Sequence, residues 1–275
     1  MMGIAQVCMG IVVSVAALAA IPANAADTAS LRIERLAREA RERWLDLSPV
    51  SETMGAGAGP RQDRLELTFT DAHRERQREH NRWVLRELGA ISPATLNASE
   101  KLTHQLLEYQ GRESLEWLSF PLHRHYIFIQ LNGGVANNLI NLVGRQPLRN
   151  EADYAAWLRR VKRYPELLYG AANVMREGIA SNITIPRVLV ERALPKLESL
   201  APDVSDMSKS SPWKPVLRFP ADMNAESRPR FEADYRKLLT EEVFPAIRRL
   251  AAFVRNDYLP QARMEAWIEE LAAIK

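Results

Sequence analysis

The sequence contains a single cysteine, Cys8, which excludes an intramolecular disulfide framework and a cysteine-rich metal site. Cys8 lies within residues 1–25, a segment with the features of a secretory signal peptide, and no lipid-attachment motif surrounds it. Cleavage of that segment would leave a mature protein without thiols. The stability of that protein in an oxidising compartment would then depend on packing rather than on disulfides.

Histidine is also scarce, and its spacing excludes the most common catalytic zinc motif. None of the five histidines is followed directly by Glu, so no His-Glu-x-x-His pair occurs. No Ser, Cys or carboxylate pair is placed to act as a nucleophile or as an acid/base couple. We therefore predict no catalytic residue, no metal ligand and no cofactor in this chain. The histidines are His73, His80, His104, His123 and His125.

The chain has no large excess of charge of either sign. Its 37 basic residues are nearly balanced by 34 acidic residues, and the two kinds alternate along the sequence. No basic stripe with interleaved aromatic residues is present, which argues against a nucleic-acid partner. With 275 residues and 47% hydrophobic residues, the chain is large enough to bury a substantial core.

The N-terminal segment predicts export. Residues 11–21 form a mostly apolar run that is too short to span a bilayer comfortably. The small residues Ala23 and Ala25 flank Asn24, which places the predicted cleavage between Ala25 and Ala26. The mature protein is then periplasmic or secreted and has no stable membrane span. No Lys or Arg precedes the apolar run, so an uncleaved N-terminal anchor is the alternative.

Residues 150–193 carry the clearest helical pattern. Asn150 is a good N-cap, and Asp153 stands where an acidic residue favours the first helical turn. Apolar residues at helical spacing define one face of this helix, and the basic residues at 159, 160 and 162 are predicted to point away from it. Pro165 is predicted to end or kink this helix and begin a second, Gly178 to end the second, and Pro186 to begin a third. The apolar face consists of Tyr154, Trp157, Leu158 and Val161.

Similar patterns predict helices over residues 31–47, 70–89, 98–118 and 226–258, the last kinked at Pro245. Residues 200–220 are rich in Pro and Ser and are predicted to form a long connection, tethered by Trp213. The fold class is therefore all-α, an irregular multi-helix bundle. The one exception is a short strand or hairpin predicted near residues 122–131.

The histidines on two of these helices are predicted to be structural or solvent-exposed. His73 and His80 are seven residues apart and therefore share a face, and solvation explains them better than a metal site. His104 and Glu108 are four residues apart, and a surface hydrogen bond between them is the favoured interpretation.

Five segments of the sequence, taken in order, resemble the bacterial domain-of-unknown-function 885 family. The longest are DYAAWLRRVKRYPELL at residues 153–168 and MREGIASNITIP at residues 175–186. Shorter ones are RERWLDLSPVSETMGAG at residues 41–57, FPLHRHYIFIQLNGG at residues 120–134 and DYLPQAR at residues 257–263. The resemblance spans most of the chain from about residue 32 to residue 263. It predicts a helical domain over residues 26–263 after the signal peptide (residues 1–25) and a divergent tail over residues 264–275.

This resemblance carries implications for function. Family members are mostly helical and often exported, and full-length relatives resemble zinc peptidases with a His-Glu-x-x-His helix in their second half. The chain resembles only the N-terminal half, so zinc is expected in full-length relatives and not here. The region around residue 125 lines the cleft in relatives, which suggests a substrate-lining role for four residues; core hydrogen bonding and turn formation are the alternatives. They are His125, Gln130, Asn132 and Asn137.

Three functions remain open at the level of sequence. The first is an exported, non-catalytic half of a zinc-peptidase-like protein that is inactive alone. The second is a periplasmic binding or interaction module whose exposed apolar face docks a separately encoded second half or a homodimer mate. The third is a truncated product without a function.

Overall fold

The computed structural model describes residues 28–57, 59–120, 125, 135–217, 219–221 and 223–264, without the side chains of residues 135–138. The described residues are helical apart from turns, loops and one isolated bridge between Pro186 and Arg263, so the predicted all-α class is confirmed. The predicted signal peptide with its cleavage site at Ala25 and Ala26, nearly all of the predicted strand near 122–131, and residues 265–275 lie outside the described residues.

The first part of the fold is a three-helix layer made of α1 (Ala29–Leu47), α3 (Asp71–Gly89) and α4 (Ala98–Ser119). Thr70 caps α3 as predicted, and its hydroxyl accepts a hydrogen bond from the His73 amide. Asn97 and Glu100 form a reciprocal capping box at the start of α4. The layer has a small core of its own: Ile33, Leu36, Ala40, Val84, Leu88, Ile91 and Leu96.

A short helix that the sequence pattern did not predict follows α1. Ser48 and Pro49 end α1 as predicted, but Pro49 is also the first residue of α2 (Pro49–Ala56). Two glycines within and just after this helix favour a loop on propensity alone, yet the helix continues to Ala56 before Gly57 takes a left-handed conformation with φ 78°.

The main body is built from α5 (Val135–Arg145), α6 (Glu151–Lys162), α7 (Tyr164–Ala180), α8 (Arg187–Ser199) and the C-terminal helices. Asn150 caps α6 and Pro165 lies in the first turn of α7, as predicted. The connection over residues 200–220 is more ordered than predicted, because it contains the 3-10 helices Val204–Lys209 and Ser211–Val216. Trp213 does tether it, since the indole is buried and stacks on Tyr235.

The predicted C-terminal helix forms as a continuous series of segments. These are α9 (Ser227–Leu238), α10 (Phe244–Phe253) and α11 (Leu259–Gln261), joined by the wider π-helical turns Leu239–Val243 and Val254–Tyr258. Each π turn ends two residues before a proline, Pro245 or Pro260. Because proline has no N–H to donate to the preceding turn, the helix widens there.

No helix in the described part of the chain combines the length and the apolar character that crossing a bilayer requires.

Candidate functional site

His125 is the one predicted cleft residue whose side chain lies among the described residues. It is 4% exposed and packs against Gly178 of α7, and its Nε2 atom lies 3.5 Å from a carboxylate oxygen of Glu177. Gln130 and Asn132 lie outside the described residues, and Asn137 belongs to α5 but its side chain is not described. The substrate-lining role of these four residues therefore stays a prediction.

Because Gly178 has no side chain, α7 can approach both His125 and the backbone of Ile183 closely. A Cβ atom on Gly178 would lie 2.6 Å from the carbonyl oxygen of Ile183 and 3.4 Å from the Cβ atom of His125. The α7 helix continues two residues beyond Gly178, where we predicted its end, and Asn182 then turns the chain with φ 55°. Gly178 is needed for this close approach rather than for a helix stop.

An open groove lies on the adjacent face of α7. Arg176 and Ile179 line it together with Phe253 and Asp257 from the C-terminal helices, and its volume is about 850 Å³. The Arg176 guanidinium lies 4.6 Å from the centre of the Phe253 ring. His125 is buried and is not among the residues that line this groove.

The other described histidines are more buried than the sequence suggested. His73 is 2% exposed, and burial together with nearby Arg76 lowers its pKa to about 4. Burial and then Arg43 also lower the pKa of His80, which is partly exposed. The prediction of a solvated side chain is therefore wrong for His73. His104 is buried too, and the Glu108 carboxylate accepts hydrogen bonds from Arg112 instead.

The described residues contain no group of three or more His, Cys, Asp or Glu side chains that could hold a metal ion.

Arg160 of α6 is 0% exposed, and its guanidinium makes several hydrogen bonds within the chain. We predicted only that it points away from the apolar face; its complete burial in a polar network was not predicted. Its guanidinium donates to the carbonyl oxygens of Arg61 and Arg64, each at 2.7 Å, and to the side chains of Thr53 and Gln146. Burial lowers its pKa to about 10, and the Glu66 carboxylate opposes that shift. Arg160 therefore stays charged at neutral pH and joins α2, the loop after it, α5 and α6.

A second arginine extends this network to the three-helix layer. Arg61 donates to the carboxylates of Asp46, Glu42 and Glu52 at 2.8–2.9 Å. The Glu52 carboxylate is so close to Gly59 that a Cβ atom there would lie 2.2 Å from it. These contacts are structural, because each charge in them already has a partner within the chain.

The outer face of α4 differs from this network because its side chains face water. Four large apolar residues of α4 and Phe120, which caps the end of the helix, are 50–62% exposed. At 100° per residue the four helical residues fall within an arc of about 80° along one side of α4. The opposite face of α4 packs on α3, where a Cβ atom on Gly111 would lie 3.1 Å from the Leu85 side chain. The stripe consists of Leu102, Leu106, Tyr109, Trp117 and Phe120.

The fold and this surface define an all-helical protein with an internally bonded polar network and an apolar stripe on one outer helix. Residues 49–271 match the model of the family described as bacterial protein of unknown function (DUF885), and the chain belongs to that family. None of the curated proteins matches the chain.

The fold is similar to a crystal structure from Colwellia psychrerythraea, described as that of a putative lipoprotein, with a TM-score of 0.67 and 15% sequence identity. The match covers 86% of this chain and 42% of that chain. This chain therefore spans less than half the length of the structure that it resembles, and the likeness shows the fold alone.

Proposed function

We propose that this chain is an exported, non-catalytic helical module that corresponds to one half of a longer, zinc-peptidase-like family fold. It docks the polypeptide that supplies the other half through the apolar stripe of α4. The observation that carries the proposal is the stripe itself, five large apolar side chains at least half exposed on one helix face.

The composition of the stripe is that of an interface centre. Tyr, Trp and Phe are enriched in protein–protein interfaces, and contiguous exposed apolar patches mark interaction sites. Full burial of such a side chain contributes about 1.5–3 kcal/mol, so covering the exposed half of each would contribute about 1 kcal/mol. Five residues would together contribute several kcal/mol, which is a useful fraction of a specific affinity.

One charged residue lies within the stripe and sets a condition on the partner. Glu113 falls near the middle of the arc that Tyr109 and Trp117 share. A carboxylate at the centre of an apolar contact must receive a hydrogen-bond donor, or its burial is costly. The docking partner therefore presents an apolar surface with one Arg, Lys or amide donor opposite Glu113, which favours it over other apolar surfaces.

The comparison with the longer structure supports the same assignment. More than half of that chain has no counterpart in this one. Full-length relatives resemble zinc peptidases. We assign that zinc-dependent activity, and the zinc itself, to a polypeptide that corresponds to the remaining part. The signal-peptide pattern of residues 1–25 favours a periplasmic or secreted location for this module.

Two measurements on the purified mature chain test the proposal. Metal analysis should show no stoichiometric zinc, and peptide hydrolysis should not exceed the buffer rate.

The reading frame directly downstream should encode a polypeptide with a His-Glu-x-x-His helix, and an equimolar mixture of the two chains should sediment as a 1:1 complex.

The docking face is tested in the same mixture with matched variants. Leu106→Glu places a charge in the stripe and should abolish the complex, whereas Val204→Glu, at an equally exposed apolar position elsewhere, should leave it intact. One tightly bound zinc with peptidase turnover in the chain alone would contradict the proposal. So would a monomeric chain with no such downstream product.

A further inference from the structure

We infer that the groove between α1 and α3 is a binding site for a phosphate-bearing ligand. This groove lies on the three-helix layer and has a volume of about 520 Å³, which is within the range of small-molecule sites. Four of its lining residues are arginines, and one wall is the indole of Trp83. The arginines are Arg43, Arg76, Arg82 and Arg86.

The positive charge of this groove is not neutralised by its own acidic residues. Asp46 lines the groove, but its carboxylate accepts hydrogen bonds from Arg61 and Arg64, which lower its pKa. Glu79 is the other acidic lining residue. The groove is therefore lined by four guanidinium groups and two carboxylates, and one of those carboxylates is already paired with arginines that do not line it.

Two of the four arginines are available to a ligand. Arg76 makes no hydrogen bond or ion pair with the described part of the chain, and Arg43 lies with its guanidinium carbon 3.8 Å from the centre of the Trp83 ring. That stacking orients Arg43 without using its N–H donors. In contrast, Arg82 already forms an ion pair with Glu75 at 3.2 Å, and Arg86 forms one with Glu87 at 3.7 Å. Arg43 and Arg76 are therefore the expected ligand contacts.

The arrangement favours a phosphoryl group over a single carboxylate. Guanidinium groups from two separate helices can each bind two oxygens, and a phosphate has three or more oxygens and close to two negative charges at neutral pH. Crowding of like charges in the groove is unfavourable, and a dianion relieves it. The Trp83 ring adds an apolar wall for the group attached to the phosphate.

The phosphate could come from a soluble compound or from a lipid headgroup, and the two sources give different results. Calorimetric titration with pyrophosphate should show saturable binding that weakens as salt increases. Flotation with phosphatidylcholine vesicles containing phosphatidic acid, compared with pure phosphatidylcholine, tests the lipid source. Vesicle binding that pyrophosphate displaces assigns a lipid headgroup, and pyrophosphate binding without vesicle capture assigns a soluble phosphate compound.

Matched substitutions test whether the ligand binds in the groove between α1 and α3. Arg43→Gln and Arg76→Gln should each weaken pyrophosphate binding about tenfold, since each removes a charged hydrogen bond. Arg230→Gln removes the same charge from an 84%-exposed side chain on α9 and should leave the affinity unchanged. Thermal melts should show that all three variants remain folded, as expected for exposed residues. Absence of pyrophosphate and vesicle binding, equal losses in all three variants, or binding of polyglutamate in preference to pyrophosphate would overturn the assignment.

Discussion

The main body and the three-helix layer differ in where their arginines and their exposed apolar side chains lie. In the main body Arg160 is fully buried and four groups of the chain accept its hydrogen bonds. In the layer, Arg43 and Arg76 line an open groove and the apolar stripe of α4 faces water. The main body also has an open groove and single exposed apolar residues such as Tyr169, but in the layer five exposed apolar residues follow one side of a helix. We therefore expect the docking contact on the layer.

The largest expected effect follows from removing the buried charge. Arg160→Met leaves the carbonyl oxygens of Arg61 and Arg64 without their donor, and loss of one member of such a network costs about 3–5 kcal/mol of unfolding free energy. Arg159→Met at the neighbouring exposed position breaks only a surface ion pair with Asp63 and should cost less than about 1 kcal/mol. Urea denaturation of both variants measures the difference. Equal losses would contradict the structural role of Arg160.

A pair of leucine substitutions compares the two regions directly. Leu168 is 1% exposed in the main body, so Leu168→Ala should cost about 2–5 kcal/mol of unfolding free energy through lost burial and a residual cavity. Leu106→Ala in the α4 stripe should cost less than about 0.5 kcal/mol, because the side chain is half exposed. Urea midpoints with unchanged m-values measure both. A large loss for Leu106→Ala would mean that the stripe belongs to a core.

The pH dependence of the unfolding free energy tests the burial of His73 in α3. The folded-state pKa of His73 is about 4, below the ordinary value of about 6.5, so the unfolded state takes up the proton first. The free energy of unfolding should therefore fall as the pH decreases from about 6.5 to 4, by up to about 3 kcal/mol from this group. His73→Leu should remove that part of the slope and leave a smaller part of the same sign from His80. An unchanged slope in urea titrations of the variant would show that His73 is accessible to solvent.

Removal of a helix cap should have the same modest effect in both regions. Asn97 caps α4 in the layer and Asn150 caps α6 in the main body, and each accepts one hydrogen bond from the helix N-terminus. Replacement by Ala should cost about 1 kcal/mol of unfolding free energy in either case, since a cap is a local interaction. Thermal melts measure the two changes. A much larger loss at Asn150 would indicate coupling to the Asp153 contacts beside it.

Local signals in the sequence predicted the helices well. Thr70 and Gly89 mark the ends of α3, and Asn150 marks the start of α6, because caps act within a few residues. The resemblance to the domain-of-unknown-function 885 family is confirmed by the family match. The unpredicted helix α2 contains a glycine and ends beside another, and it is stabilised by Glu66, whose carboxylate accepts a hydrogen bond from the Val50 amide.

Local sequence patterns could not predict the buried arginine network, the exposed stripe of α4 or the arginine groove. Arg160 lies among basic residues of α6, and its carbonyl acceptors come from residues about one hundred positions earlier, so its sequence neighbours could not predict its burial. The α4 stripe has the same helical spacing as a core face, and only the packing of α4 on α3 through its other side shows that it is exposed. The arginine groove requires α1 and α3 to be adjacent, which no spacing within either helix predicts.

Hydrogen exchange on α4 tests the central claim most directly. The purified chain is compared alone and in an equimolar mixture with the polypeptide that carries the other half of the family fold. The account predicts that backbone amides over residues 102–117 exchange more slowly in the mixture, whereas those of α9 exchange at the same rate. Unchanged exchange over α4, or equal protection of α4 and α9, would contradict the assignment of the stripe as the docking face.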